Sequence, residues 1–198
     1  MDYQIKIESL MDEYNGFLLT EAVTKADIPR AYIKEFLDQG KITKLERGVY
    51  LRKNGKDDVL FRTQLKYKGI IYSHETAMRL HGFLKKVPDD TVSVTVKTGI
   101  NPTKLKDRGL KVYTIKEDMM DVGLVSVKTK FGNSVKTYSL ERTICDILRS
   151  RNSINDAVFG AALNEYIRSP KYDEEALVEM AQMFHVGKIL SNYKKVII

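Results

Sequence analysis

The sequence predicts an α+β protein built in two parts, and three observations carry that expectation. Residues 1–56 show helical periodicity and close on a short strand pair, whereas residues 57–198 gather strand-forming runs in their middle and helical stretches around them. A polar, turn-forming stretch, Asn54-Gly55-Lys56-Asp57-Asp58, separates the two. At the usual ~100–200 residues per domain, 198 residues suit one large domain or two small ones.

In the first part, Ile5, Ile7, Leu10, Met11 and Tyr14 fall at mixed helical spacing, and Asn15-Gly16 supplies a C-terminal stop. Thr20 is expected to cap a second helix carrying Ala22, Val23 and Ala26. Asp27 is expected to cap a third, with Pro29 in its first turn, where a missing N–H costs little. The third helix sets Ile33, Phe36 and Leu37 on one face and ends at Gly40, where positive φ is wanted. Lys41 to Leu45, the turn Glu46-Arg47-Gly48, and Val49 to Leu51 then read as a β-hairpin. Helix, helix, helix, hairpin is the order of a winged helix-turn-helix, assigned to residues 1–56.

In the second part, Val59–Lys68 and Ser73–His81 read as helices, Thr91–Val96 and Leu110–Ile115 as strands. Val122–Thr129 and Val135–Tyr138 can pair across Gly132-Asn133. Leu140–Arg149 is an amphipathic helix with Ile144, Ile147 and Leu148 inward, and further helices follow. This is an α+β domain, residues 57–198, rather than a regular βαβ alternation.

Composition narrows the function classes. The chain is 43% hydrophobic and 30% charged, with a net charge of +7, an ordinary globular balance. No apolar run approaches the ~20 residues that span a bilayer, and the charged start Met1-Asp2-Tyr3-Gln4-Ile5-Lys6 is unlike a secretory leader, so a cytoplasmic protein is expected. One cysteine, Cys145, and three histidines make a poor zinc set. Phosphate-binding loops, dinucleotide fingerprints, H-E-x-x-H and the nucleophile elbow are missing, so no enzyme activity, cofactor or metal is expected. Ser73-His74-Glu75 places three catalytic residue types side by side, but neighbours on a helix point apart, and Ser73 is expected simply to cap. His81 reads as a packed or helix-terminal residue, and Cys145 as a buried thiol. Asp89-Asp90 with Lys97 suggests a metal-dependent nuclease site, yet Thr95 stands where its second carboxylate belongs.

Charge placement is more informative. Residues 1–62 carry 11 basic and 11 acidic groups, and residues 63–198 carry 22 and 15. Between Lys25 and Lys56, however, nine basic residues face four acidic ones. That excess falls on the third helix and the hairpin, the two elements a winged helix presents to a duplex. The expected DNA-binding residues are Arg30, Tyr32, Lys34, Lys41, Lys44, Arg47, Arg52 and Lys53, with Arg47 at the wing tip. Glu35 and Asp38 on the same helix must either reach a cytosine amino group or be held off the groove.

Three motifs in order carry a family resemblance: Leu19-Thr20-Glu21-Ala22 with Arg47-Gly48-Val49-Tyr50, then Ser73-His74-Glu75-Thr76-Ala77-Met78-Arg79-Leu80-His81-Gly82, then Ser139-Leu140-Glu141-Arg142-Thr143-Ile144-Cys145-Asp146. The chain resembles the AbiEi antitoxins of type IV toxin–antitoxin systems, associated with abortive phage infection. The resemblance implies an N-terminal domain that binds inverted repeats in its own promoter as a repressor; because a single module makes few base contacts, two copies are expected to cooperate on the DNA. It also implies a C-terminal domain that counteracts a nucleotidyltransferase-like toxin, AbiEii, with or without direct contact. Charge clustering nominates Lys85, Lys86, Lys104, Lys106, Arg108, Lys128 and Lys130 for antitoxicity. Arg142 and Asp146, four apart on one helix, are expected to pair. The alternative reading is a nuclease or nucleic-acid-modifying enzyme targeted by its winged helix.

Overall fold

The structure, a computed structural model, describes residues 2–86 and 91–197. Among these no helix is long and apolar enough to cross a membrane. The chain is a mixed α+β protein with two sheets, divided into two compact units: Met1–Lys68 with Thr129–Asn133, and Gly69–Lys128 with Ser134–Ile198.

The first unit opens with helix α1, Tyr3–Glu13, whose N-terminus is closed by Asp2 accepting from the Gln4 amide at 2.9 Å. Asn15 and Gly16, both at positive φ, end it as expected. Strand β1, Phe17–Leu19, follows and was not anticipated; three consecutive buried residues show no alternation for a periodicity to detect. Helices α2, Thr20–Lys25, and α3, Ala31–Asp38, precede the hairpin of β2, Ile42–Glu46, and β3, Val49–Arg52. The sheet order is β1-β3-β2, antiparallel throughout. Ile7, Met11, Leu18, Val23, Ile28, Ile33, Phe36 and Ile42 form the core. Ile33 and Phe36 are buried as the helical spacing predicts, Leu37 packs at the edge, and Gly40 takes φ +64°.

The caps differ from expectation. Thr20 is the first residue of α2 rather than its cap, and Leu19 precedes it without a side-chain bond. Asp27, at φ +54°, closes α2 instead of opening α3: its amide reaches the Thr24 carbonyl and the Ile28 amide reaches the Val23 carbonyl, each at 3.1 Å. A left-handed residue at that point satisfies orphan carbonyls, a role an aspartate tolerates.

The expected boundary at 56/57 also moves. Helix α4, Val59–Lys66, belongs to the first unit, because Phe61 and Leu65 pack on Phe17, Leu19, Val49 and Leu51. Its N-cap Asp58 is 2% exposed and accepts from the Phe61 amide, Thr129 Oγ1 and Asn133 Nδ2. A carboxylate removed from water needs such donors, so the end of the turn-forming stretch is anchored rather than a free linker.

The second unit carries a mixed five-stranded sheet in the order β6-β5-β4-β8-β7. The strands are β4, Ile71–Tyr72; β5, Val92–Lys97; β6, Leu110–Ile115; β7, Leu124–Lys128; and β8, Ser134–Tyr138. β5 and β6 run parallel, as do β4 and β8, while β4/β5 and β7/β8 are antiparallel. Helices α5, His74–Leu80; α6, Thr103–Lys106; α7, Leu140–Arg149; α8, Asp156–Ile167; α9, Glu174–Met183; and α10, Gly187–Ile197, complete it. Ser139 caps α7 by accepting from the Arg142 amide, and Ile144, Ile147 and Leu148 enter a core shared with Val158, Leu163, Leu177 and Leu190.

Candidate nucleic-acid interface

α3 and the β2/β3 hairpin present most of the nominated cations to solvent. Lys34 on α3, Lys44 on β2 and Arg47 in the turn are exposed. So are Lys41 and Lys53, which meet at the open end of the hairpin through a 2.8 Å bond from the Lys53 amide to the Lys41 carbonyl. The Lys41 ammonium lies 4.8 Å over the Phe36 ring, where its stem can cover apolar surface while the charge stays wet. From Lys41 to Arg47 the strand runs ~20 Å at ~3.3 Å per residue, long enough to follow several phosphates. Arg30 is exposed, and its Nε and Nη2 donate to Thr24 Oγ1 at 3.3 and 3.2 Å.

Two nominated residues have other work. Arg52 is a clamp on α1: its Nη2 lies 2.9 Å from Glu8 Oε2 and 2.8 Å from Asp12 Oδ1, so its charge is already matched and it leaves the set. The α1 carboxylates that hold it are distant in sequence, which charge counting along residues 25–56 did not weigh. Tyr32 is half-buried with its ring 5.1 Å from that of Tyr3, which places it in packing rather than free over a groove. Glu35 Oε1 accepts from Gln4 Nε2 at 2.7 Å and Gln39 Nε2 at 2.9 Å. Asp38 stays exposed.

The hairpin is braced from below. Glu46 receives Lys66 Nζ at 2.5 Å and Arg62 Nη1 at 3.1 Å, Lys66 also donates to the Arg47 carbonyl at 3.1 Å, and Arg62 Nε lies 2.9 Å from Asp57. These bonds hold the Arg47 backbone while its side chain remains exposed. A register shift between Lys44 and Glu46 marks a bulge beside the tip, where local twist increases.

Lys85, Lys86, Lys104, Lys106, Arg108 and Lys128 are exposed in the second unit. Lys130 belongs to the first, 5.1 Å from the Phe131 ring. The seven are thus not one group, because the turn between β7 and β8 is compact with residues far from it in sequence.

The two sequence motifs of the second unit, residues 73–82 and 139–146, are mostly buried. Ser73 stands at the N-cap position of α5 but does not cap it; its Oγ accepts from Thr95 Oγ1 at 2.8 Å and lies 2.9 Å from His74 Nδ1. Glu75 is 2% exposed, taking Ser93 Oγ at 2.6 Å and Lys111 Nζ at 2.9 Å. Arg142 and Asp146 pair as expected, at 2.9 Å. His81 closes α5 and donates from Nε2 to the Tyr138 carbonyl at 2.8 Å. Burial pushes the Cys145 thiol up to about 12, leaving it protonated and unreactive at neutral pH. Asp89 and Asp90 lie outside the described residues; Lys97 pairs with Glu117 at 2.5 Å, and among the described residues no group of three His, Cys, Asp or Glu side chains could hold a metal ion.

The polar cluster of His74, Arg142 and Ser150 was not legible as a site, since it joins residues some 70 apart; the only local signal was the polar opening of α5.

No protein-family model matches the chain, and no curated protein matches it significantly. Among solved structures it is similar to the Rv2827c protein from Mycobacterium tuberculosis, a crystal structure, with a TM-score of 0.58 over 89% of this chain and 69% of that one. At 14% identity the likeness shows a shared fold and nothing further.

Proposed function

We propose that the protein is a DNA-binding autorepressor and antitoxin of the AbiEi type, its first unit a winged helix-turn-helix and its second unit the part that counteracts a nucleotidyltransferase-like toxin in the cytoplasm. The observation that carries the reading is the set of exposed cations on α3 and along the braced hairpin: Arg30, Lys34, Lys41, Lys44, Arg47 and Lys53. In this reading α3 enters the major groove by its first turn, through Arg30 and Lys34, and the Arg47 tip follows the backbone or the minor groove. The motif resemblance supplies the antitoxin half, and no catalytic residue is assigned. Exposed Lys85, Lys86, Lys104, Lys106, Arg108, Lys128 and Lys130 are candidates for antitoxicity by charge.

The test is a salt series of promoter binding by the full chain, using the inverted repeats upstream of its own operon. Lys34→Ala, Lys44→Ala and Arg47→Ala are expected each to weaken binding and to lower the log–log salt slope by about 0.9 per lost phosphate contact. Slopes unchanged in all three overturn the groove assignment. In cells, a Lys34→Ala/Arg47→Ala chain should lose repression yet still rescue growth from the toxin; loss of rescue as well would overturn the division of labour.

A further inference from the structure

The second unit contains a cavity of about 130 Å³ lined by His74, Thr95, Tyr113, Arg142, Arg149 and Ser150, among others. Its walls are polar, and their donors are aligned. Thr95 Oγ1 donates to Ser73 Oγ at 2.8 Å, so the Ser73 proton is left to face His74 Nδ1 at 2.9 Å. The His74 Nε2 faces Ser150 Oγ at 3.1 Å, and the Asp146 carbonyl is a further hydrogen-bond partner of the ring. Ser150 lines the cavity with a hydroxyl that can donate to a ligand there.

The His74 ring is rigidly set. It is 3% exposed, lies flat on Tyr113 with centroids 3.5 Å apart and planes 13° apart, and belongs to a residue at φ +49°, a conformation that non-glycine residues adopt rarely and that clusters at functional positions. Burial, with Lys111, Arg142 and Arg149 nearby, holds the imidazole well below its usual range, so it is neutral at pH 7.

Arg142 supplies the charge. It is fully buried, with Nε on Asp146 Oδ2 at 2.9 Å and Nη1 on the Met119 and Val122 carbonyls at 3.0 and 2.7 Å, and its guanidinium lies 4.0 and 4.1 Å from the Tyr138 and Phe184 rings. Among the described residues Nη2 makes no hydrogen bond, and it is closed off from solvent, so Arg142 acts on the cavity it lines through its charge. Arg149, 41% exposed, adds a second cation, 4.0 Å from the same Asp146. One carboxylate therefore answers two arginines at the cavity wall, and the lining retains positive charge and free donors.

With the Asp146 carboxylate engaged by both arginines, the remaining donors and cations select a ligand that only accepts, and the small cavity suits a compact oxyanion. We propose that this cavity binds a phosphate group, as the free ion or as the end of a phosphate monoester whose remainder projects out past Arg149. The Arg149 guanidinium and the Ser150 hydroxyl would hold its oxygens, with the buried charge of Arg142 behind them.

The test is calorimetric titration of the full chain with inorganic phosphate and, separately, adenosine 5′-monophosphate, at constant ionic strength set by chloride. Saturable one-to-one binding is expected for at least one of them. Arg149→Gln and Ser150→Ala should each weaken it tenfold or more while thermal melts stay near wild type, which separates lost contacts from lost folding. Tighter binding of the monoester identifies the ester as the source; equal binding identifies the phosphate group alone. Failure of both ligands to bind, or binding indifferent to both substitutions, overturns the proposal. Promoter binding by Arg149→Gln should be unchanged, so this result and the nucleic-acid reading stand or fall separately.

Discussion

Arg142 and Asp146 sit one helical turn apart on α7, and the 2.9 Å bond from Nε to Oδ2 joins two side chains that are 0% and 6% exposed. At that depth neither charge has water to fall back on. Burial is the dominant influence on Asp146 and raises its carboxyl above the ordinary range even though Arg142 and Arg149 oppose it. The pair therefore holds the helix in register against the loop whose Met119 and Val122 carbonyls Arg142 also binds, and it is not a surplus source of stability.

Removing one partner strands the other. Arg142→Ala is expected to destabilise the chain by about 3–5 kcal/mol, whereas the double replacement Arg142→Met/Asp146→Leu should cost clearly less, because it removes both buried charges together. Urea unfolding followed by circular dichroism measures both, and equal losses in the two proteins would contradict the buried-pair account.

A second expectation concerns pH. His74 is held below 6.5 by burial, so below that value the unfolded chain binds a proton that the folded one refuses, and stability falls as pH falls. The slope for one such proton is at most about 1.4 kcal/mol per pH unit. Asp146 runs the other way: its folded carboxyl is raised, so its contribution is fully present below the ordinary carboxylate value near 3.8 and declines as pH rises through the raised value. His74→Gln should flatten the decline between pH 6.5 and 5, leaving the smaller residue due to His81, which is shifted the same way by burial. Melting temperatures across a pH series report it.

Gly123 is a third test point. It takes φ +70°, and a Cβ there would stand 2.7 Å from Arg142 Cβ. Both the left-handed backbone and the collision oppose any side chain, so Gly123→Ala should destabilise by about 2–4 kcal/mol, visible as a lower urea midpoint at unchanged m-value.

Arg52 and Lys34 should separate packing from recognition. Arg52 bridges Glu8 and Asp12 at a half-exposed position, so Arg52→Ala is expected to cost less than about 1 kcal/mol of stability and to leave the promoter salt slope intact. Lys34→Ala should do the reverse, with stability unchanged and the slope lowered.

Bracing of Arg47 predicts a fifth behaviour. Glu46 is 14% exposed between Arg62 and Lys66, and Glu46→Gln should release the hairpin tip at a cost of about 1–3 kcal/mol. Faster amide exchange confined to residues 44–50 and α4 would be the signature; unaltered exchange there would reject the brace.

Several of these positions were readable in the sequence. α7 and β6 occupy the residues their periodicity indicated, and Gly40 ends α3 where a left-handed residue was wanted. The exposure of Lys34, Lys44 and Arg47 followed from the inward face of Ile33 and Phe36 and from the turn at Gly48. Arg52 was misread because its partners lie 40 and 44 residues away on α1.

What the sequence by itself determined is whatever neighbours along the chain encode: helices long enough to show an apolar stripe, strands long enough to alternate, and glycines at turns. Tertiary structure alone decided the rest. β1 and β4 are too short to announce themselves and exist because partners complete them, as Tyr72 against Thr137 shows. α4 joined the first unit because Phe61 found Phe17, its ring 5.8 Å away. The hydrogen-bonded run from Thr95 through Ser73 and His74 to Ser150 arises only when strand, helix start and helix end converge, since such contacts are a property of groups in space and leave no periodic trace in the order of residues.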